Sequence, residues 1–197
     1  GLGASPVLPA WTTEFESVWS QAIKVDHRWN NGNYYDKEFP IDGFALCMRM
    51  LSIITYSPDW ARGTYDRKWG LPENDPYLAL ENRFLIEKDL FEKGHIRTKM
   101  SDPNHMIYLN KMVQTADITR GFATYEDAIK SIKAKVLFYV TDQDQLFTVQ
   151  HVREHYEKFL ELGVKAEFFV HESTIGHMAV VLDTEKTGPA LEKFLNS

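Results

Sequence analysis

The sequence predicts an α/β fold that the chain holds only in part. Two runs of β-forming residues carry the strand half of that prediction. Val136-Leu-Phe-Tyr-Val140 is a continuous apolar run, the pattern of a strand buried on both faces in a parallel sheet. Ala166-Glu-Phe-Phe-Val170 comes after it, past one helical stretch. Residues 12–120 carry the other half, reading as helical almost throughout. Two strands do not make a stable doubly wound sheet. The helical half offers no further strand, so the chain reads as the C-terminal part of a larger α/β fold.

The N-terminal elements are set by caps and periodicity. Thr13 and Glu16 have capping-box spacing, and Phe15, Val18, Trp19, Ala22 and Ile23 recur at helical spacing behind them. His27-Arg-Trp-Asn-Asn-Gly-Asn-Tyr-Tyr35 is a turn, because Asn-Gly favours positive φ. A second helix runs from about Ile41 to Tyr56, with Ile41, Phe44, Ala45, Met48 and Leu51 on one face. Ser57-Pro58 has the form of an N-cap and first helical residue of a third helix, which Gly70 would stop. A longer helix is expected over 76–93, and Ser101-Asp-Pro103 opens another. After Gly121 the pattern changes. Thr124 and Asp127 cap a short helix that precedes the first strand. Residues 148–162 form the helix between the strands, ended by Gly163. A last helix covers about 186–195.

Composition narrows the function. The chain has 197 residues, with 22 Lys+Arg against 28 Asp+Glu and a net charge of −6. That balance has no general attraction for a phosphate backbone, so no nucleic-acid partner is expected. No apolar run approaches the roughly 18 residues that span a bilayer, so no membrane partner is expected. Cys47 is the single cysteine, which excludes an intramolecular disulfide and a multi-cysteine zinc site. A lone thiol fits a reducing compartment. Gly-Leu-Gly-Ala-Ser-Pro at the start shows no basic region followed by an apolar one. A cytoplasmic location is the resulting expectation.

Chemistry-bearing residues gather where the strands end. Thr141-Asp142-Gln143-Asp144-Gln145-Leu146-Phe147 follows the first strand, and Ile175-Gly176-His177-Met178 follows the second after a short loop. Ligands of open α/β sheets bind at the carboxyl ends of strands. A carboxylate that orients an imidazole, which then deprotonates a hydroxyl, is the acid–base part of a nucleophilic triad. The nucleophile itself is not evident, since no Gly-x-Ser-x-Gly occurs. Ser5 lacks the flanking strand and second glycine of such a turn, and Cys47 falls on the apolar side of a helix. His151-Val-Arg-Glu154-His155 fits an inverted zincin pattern. Its helix turns Val149, Val152, Tyr156 and Phe159 inward, so the histidines are expected on a solvated flank and no metal site is expected. Arg49 lies mid-helix beside an apolar face, where an arginine either pairs with a neighbouring helix or clamps a carboxylate with its planar fork.

At these residues the chain resembles the C-terminal half of the homoserine O-acetyltransferase family, in the α/β-hydrolase superfamily. Phe15-Glu-Ser-Val18 with Gln21-Ala-Ile23, then Trp29-Asn-Asn-Gly-Asn-Tyr34-Tyr35, is similar to the family's first lid helix and the turn behind it. Arg49-Met-Leu51 with Thr55-Tyr56 is similar to its Arg-Met helix. Tyr108-Leu109, Asp117-x-x-Arg120-Gly121, Ile132-Lys-Ala-Lys-Val-Leu137, Asp144-Gln-Leu-Phe147 and Gly176-His177 keep the family's order. The resemblance covers nearly the whole chain and rests on this collinearity.

The resemblance implies three segments and a set of roles. Residues 1–11 would be a lead-in segment after a core strand, 12–121 a helical lid, and 122–197 the C-terminal part of the α/β-hydrolase core. Asp144, rather than Asp142, would be the triad acid, His177 the triad histidine, and Arg49 the substrate-carboxylate ligand. The activity would be ping-pong transfer of an acetyl group from acetyl-CoA to a hydroxyl through a serine acyl-enzyme. Acetyl-CoA would be a co-substrate, with no permanently bound cofactor. The serine elbow and earlier strands would precede residue 1, so the chain would be a fragment or processed subunit completed by an N-terminal half. The lid would mediate a homodimer. Met178 stands where the family has the aspartate that contacts the amino group of homoserine, and Met112-Val-Gln-Thr replaces its Ala-Met-Asp. The implied pocket loses an ammonium partner and keeps a carboxylate clamp, so the partner would be an alcohol or ester, carboxylate-bearing. Hydrolysis of a carboxylic ester is the alternative, and a non-catalytic interaction fragment is the alternative of another class.

Overall fold

A computed structural model describes residues 3–197. The chain divides into two compact units. One comprises residues 3–13, 55–57 and 114–197, and the other 14–54 and 58–113.

The first unit holds the sheet. Strands β1 (Val136–Thr141) and β2 (Ala166–His171) pair in parallel, from Val136 opposite Ala166 to Thr141 opposite His171. Helix α7 (Val149–Glu161) makes the crossover. Side chains of β1 alternate between two covered faces, which is why its sequence is continuously apolar. Phe138 meets Phe159 and Tyr156 of α7 edge-on, at centroid distances of 5.0 and 6.0 Å. Tyr139 points the other way, against Phe169 and His171. There the short α8 (Ala179–Leu182) and α9 (Thr184–Leu195) follow β2. Helix α6 (Tyr125–Lys130) begins as its sequence requires: the Thr124 hydroxyl accepts from the Asp127 amide at 3.1 Å. On the far edge of β1, the Gly3 amide donates to the Tyr139 carbonyl at 3.0 Å. β1 and β2 are the strands found among the described residues, so the sheet is as small as the sequence predicts.

The second unit is helical. It contains most of α1 (Ala10–Lys24), α2 (Ile41–Thr55) and α5 (Pro103–Gln114), together with α3 (Pro58–Thr64) and α4 (Leu85–Arg97). Trp19, Ala22 and Ile23 of α1 are buried, as are Phe44, Ala45, Cys47 and Met48 of α2. Between these helices Asn30, Asn31 and Gly32 all take positive φ, the conformation that Asn-Gly predicts. Asp26 fixes that turn by accepting from Arg28 Nε and Nη2 at 2.8 and 2.7 Å and from the Gly43 amide at 3.0 Å.

Three boundaries differ from the sequence reading. Helix α1 starts at Ala10, and Thr13 caps nothing; its hydroxyl turns back to donate to the Pro9 carbonyl at 3.0 Å. Helix α3 stops at Thr64, short of Gly70, where Asp66 takes a left-handed φ of 48°. The helix expected over 76–93 begins only at Leu85. Asp75 diverts residues 75–82 into turns, its side chain accepting from Tyr77 N at 2.8 Å and its carbonyl from Asn82 Nδ2 at 2.8 Å. An antiparallel bridge between Trp69 and Phe84 then holds Phe84 extended. No helix among the described residues is long and apolar enough to cross a membrane.

Candidate active site

The loop after β1 is built around Asp144. One carboxylate oxygen accepts from the amides of Leu146 and Phe147, at 2.8 and 2.9 Å. The other lies 2.8 Å from Nδ1 of His177. The Asp144 side chain is fully buried, and that of His177 keeps 21% of its surface open. Two backbone donors and one imidazole therefore occupy a carboxylate that water cannot reach. An ionised carboxylate accepts only, so Nδ1 carries the proton and Nε2 is left with its lone pair. Phe147 lies beside the imidazole, ring centroids 6.0 Å apart. Asp142 does something different: it accepts from the Ser173 amide at 2.9 Å and ties the two strand-end loops together.

His177 is held by its backbone neighbours. The Ile175 carbonyl accepts from Ser57 N at 3.0 Å, the Gly176 carbonyl from the Thr141 hydroxyl at 3.1 Å, and Met178 N donates to Thr55 O at 3.1 Å. The Ser57 hydroxyl donates to the Thr174 carbonyl. Gly176 has φ of 88°, and a Cβ there would stand 2.7 Å from Ser57 N. Only glycine accepts both that angle and that approach. The Gly-His pair is thus a steric device, with glycine creating the turn that aims the next residue's imidazole at Asp144.

The remaining candidates are elsewhere. Arg49 belongs to the helical unit, where it lines an apolar cavity of about 300 Å³ with Leu46, Met50, Ile53, Ile86, Glu87 and Leu90. Its guanidinium lies 5.4 Å from the centre of the Phe91 ring. Its stem fits against α4 because residue 94 is glycine, where a Cβ would come within 2.7 Å of Arg49 Cγ. Cys47 is fully buried, and burial, aided by the nearby Glu16 charge, pushes its thiol up to about 12. A thiol so disposed is inert as a nucleophile at neutral pH. Ser5 donates to the Val7 carbonyl at 2.7 Å and lies 2.9 Å from Nε2 of His151.

The histidines of α7 do not lie on the solvated flank expected from their helical position. His151 and His155 are half-buried and stack edge-on at 4.7 Å. His155 Nδ1 lies 2.5 Å from the Tyr125 hydroxyl. Burial, and then the neighbouring His151, push the His155 pKa down. The lead-in segment and α6 cover a helix flank that the sequence, read alone, leaves bare. Among the described residues, no group of three or more His, Cys, Asp or Glu could hold a metal ion.

No family model matches the chain. A homoserine O-acetyltransferase of Carboxydothermus hydrogenoformans is 32% identical over 196 residues, covering 98% of this chain and 51% of that protein. One from Deferribacter desulfuricans is 30% identical over 184 residues, covering 92% of this chain and 48% of that protein. The crystal structure of homoserine O-acetyltransferase from Bacillus anthracis superposes with a TM-score of 0.88 at 28% identity, over 98% of this chain and 51% of that one. The chain is homologous to the C-terminal half of homoserine O-acetyltransferases. It spans about half the length of the curated relatives it matches. Its fold is the C-terminal part of an α/β-hydrolase. Esterase E22 shares that fold, with a TM-score of 0.85 at 24% identity. Within this homoserine O-acetyltransferase-like half, Asp144 follows β1 and His177 follows β2.

The sequence reading missed a second carboxylate–imidazole pair. His171, the last residue of β2, lies 2.9 Å from Asp183 through Nε2 and 2.6 Å from the Tyr139 hydroxyl through Nδ1. The available signal was a histidine ending a strand whose other residues are apolar or alternate with them.

Proposed function

We propose that this chain supplies the acid–base part of a serine acyl-enzyme site, in a protein that transfers an acetyl group from acetyl-CoA to an alcohol. The observation that carries the reading is the 2.8 Å contact between a fully buried, doubly capped Asp144 and His177. The nucleophilic serine would come from a segment outside these 197 residues. His177 Nε2 would take the proton of that serine as it attacks the acetyl carbonyl, then return it to the thiolate of CoA as the carbon–sulfur bond breaks. In the second half it would deprotonate the acceptor alcohol and reprotonate the serine. Asp144 would hold the imidazole in the Nδ1–H tautomer and stabilise the imidazolium between these steps.

Arg49 is the group we assign to an acceptor carboxylate, and the helical unit is the lid through which we expect two copies to pair. Met178 favours a second reading, because the family's carboxylate at this position is the partner of homoserine's ammonium group. A thioether offers no such partner, so another alcohol, or water in ester hydrolysis, enters as acceptor. Incubating the intact protein with acetyl-CoA, with and without homoserine, separates these outcomes. O-acetylhomoserine supports transfer to homoserine. CoA release that is independent of homoserine, with free acetate formed, supports hydrolysis. No CoA release and no cleavage of simple acetyl esters would contradict both.

A further inference from the structure

The face of the sheet opposite α7 carries a closed ring of buried polar contacts that the chemistry above does not use. His171 is 1% exposed and Tyr139 is 0% exposed. The His171 imidazole bridges Asp183 Oδ2 at 2.9 Å and the Tyr139 hydroxyl at 2.6 Å. That hydroxyl lies 3.0 Å from Oγ1 of Thr187, which donates to the Asp183 carbonyl at 3.0 Å. Asp183 also faces Lys186 at 3.6 Å, and Lys186 donates to the Glu172 carbonyl at 2.8 Å. Groups on β1, β2 and α9 thus converge on one ring.

The ring is continuous from strand to helix. Four contacts close it: His171 to Asp183, His171 to Tyr139, Tyr139 to Thr187, and Thr187 back to the Asp183 backbone. Burial raises the Tyr139 pKa, so the phenol keeps its proton. The hydrogen bond from His171 lowers the Asp183 pKa, so that carboxylate only accepts. The phenol and the threonine supply one proton each. Nε2 of His171 faces the Asp183 carboxylate, and its Nδ1 faces the Tyr139 hydroxyl. The ring thus ties β1, β2 and α9 together through polar contacts within the protein.

Its place in the chain gives it a use. His171 ends β2 and Asp183 follows α8, so their contact joins the two ends of the segment that carries His177. The contacts to Thr55, Ser57 and Thr141 fix that segment near its middle. Without the pair, the start of α9 would be tied to the sheet only by the Tyr139–Thr187 and Lys186–Glu172 contacts and by packing. We infer that His171 and Asp183 form a brace that positions His177 toward Asp144. This deepens the acid–base reading and rests on it for its consequence in turnover.

The test combines turnover with proton NMR of the intact protein, tracking the His177 Nδ1–H resonance well below the melting temperature. The Asp183 side chain is 21% exposed, and circular dichroism first verifies that Asp183→Ala and Asp183→Asn are folded. In Asp183→Ala the resonance should shift and exchange faster. Turnover should fall about 10- to 100-fold with KM within about twofold, the signature of a misplaced base. His171→Ala should act in the same direction. His171→Gln, whose amide can donate to Asp183 and accept from Tyr139, should recover part of both signals. Wild-type resonance and wild-type kcat in Asp183→Ala, with a lower melting temperature alone, would overturn the brace and leave a mere structural tie. If the wild-type protein turns over no acetyl donor, the acid–base reading fails. The resonance comparison still decides the brace in that case, because it does not depend on what is catalysed.

Discussion

At the residue scale, Asp144 and His177 need each other in one geometry, and each is fixed by a different means. Asp144 is set by two amides of its own loop. His177 is set by a glycine that no other residue can replace without collision. His177→Ala removes no core side chain, so it should abolish turnover while moving the melting temperature little. Asp144→Asn should cost roughly 10³- to 10⁴-fold in kcat, because an amide favours the wrong tautomer. Steady-state kinetics with a thermal melt checks both, and unchanged kinetics would remove the assignment. Arg49→Ala should chiefly raise KM for a carboxylate-bearing acceptor, by about 10-fold or more. An equal effect on an acceptor without a carboxylate would show that Arg49 only packs against Phe91 and Gly94. Asp144 and His177 were legible in sequence because each comes after a recognisable strand and the pair keeps a known order. The His171–Asp183 pair was not, because a histidine that ends a strand carries no mark of a partner that lies beyond the next helix.

At the element scale, α1 carries the pH dependence of the helical unit. Glu16 is 6% exposed, and burial lifts its pKa from the ordinary 4.5 to about 7. With the Asn110 amide turned to satisfy both ends, its nitrogen donates to Glu16 Oε2 at 2.9 Å and its oxygen accepts from Ser20 at 3.0 Å. The unfolded chain ionises this carboxyl first. Between about pH 4.5 and 7 the folded state therefore binds more protons, and stability falls as pH rises through that window. The loss approaches about 3 kcal/mol above it. Asp26 acts in the opposite sense. Burial would raise its pKa, but Arg28 and the amides of Gly43 and Arg28 outweigh that and lower it from 3.8 to about 2. Its contribution is present above pH 3.8 and lost as pH falls toward 2. Glu16→Gln should flatten the neutral limb and raise the melting temperature at pH 8. Thermal melts from pH 4 to 8 check this, and an unchanged slope would contradict it. The same helix shows where element boundaries escape sequence. Thr13 and Glu16 have capping spacing, yet the helix opens at Ala10 and Glu16 faces the core. Likewise Asp75 and a bridge between Trp69 and Phe84 outcompete helical propensity over 76–84. Both are contacts that a local pattern does not contain.

At the scale of the whole molecule, two parallel strands with β1 buried along five of its six positions make a piece of a sheet. The sequence announced that shortage, since β1 reads as an interior strand. It did not announce how the lead-in segment packs, with Gly3 on the edge of β1 and Ser5 against His151. The helical unit leaves Leu46 and Ile53 of α2 more than 40% exposed beside the Arg49 cavity. If this is the surface on which two lids pair, Leu46→Lys with Ile53→Lys should convert a dimer to monomer in light scattering. A wild-type monomer, or a dimer indifferent to both changes, would contradict that assignment. The proposed activity stands on His177 serving as the base for a serine acyl-enzyme. Its most direct test is intact-mass spectrometry of the protein after brief exposure to acetyl-CoA. The predicted result is a covalent adduct of one acetyl group, on a serine, that His177→Ala abolishes. No adduct on the wild-type protein, or an equal adduct on His177→Ala, would contradict it.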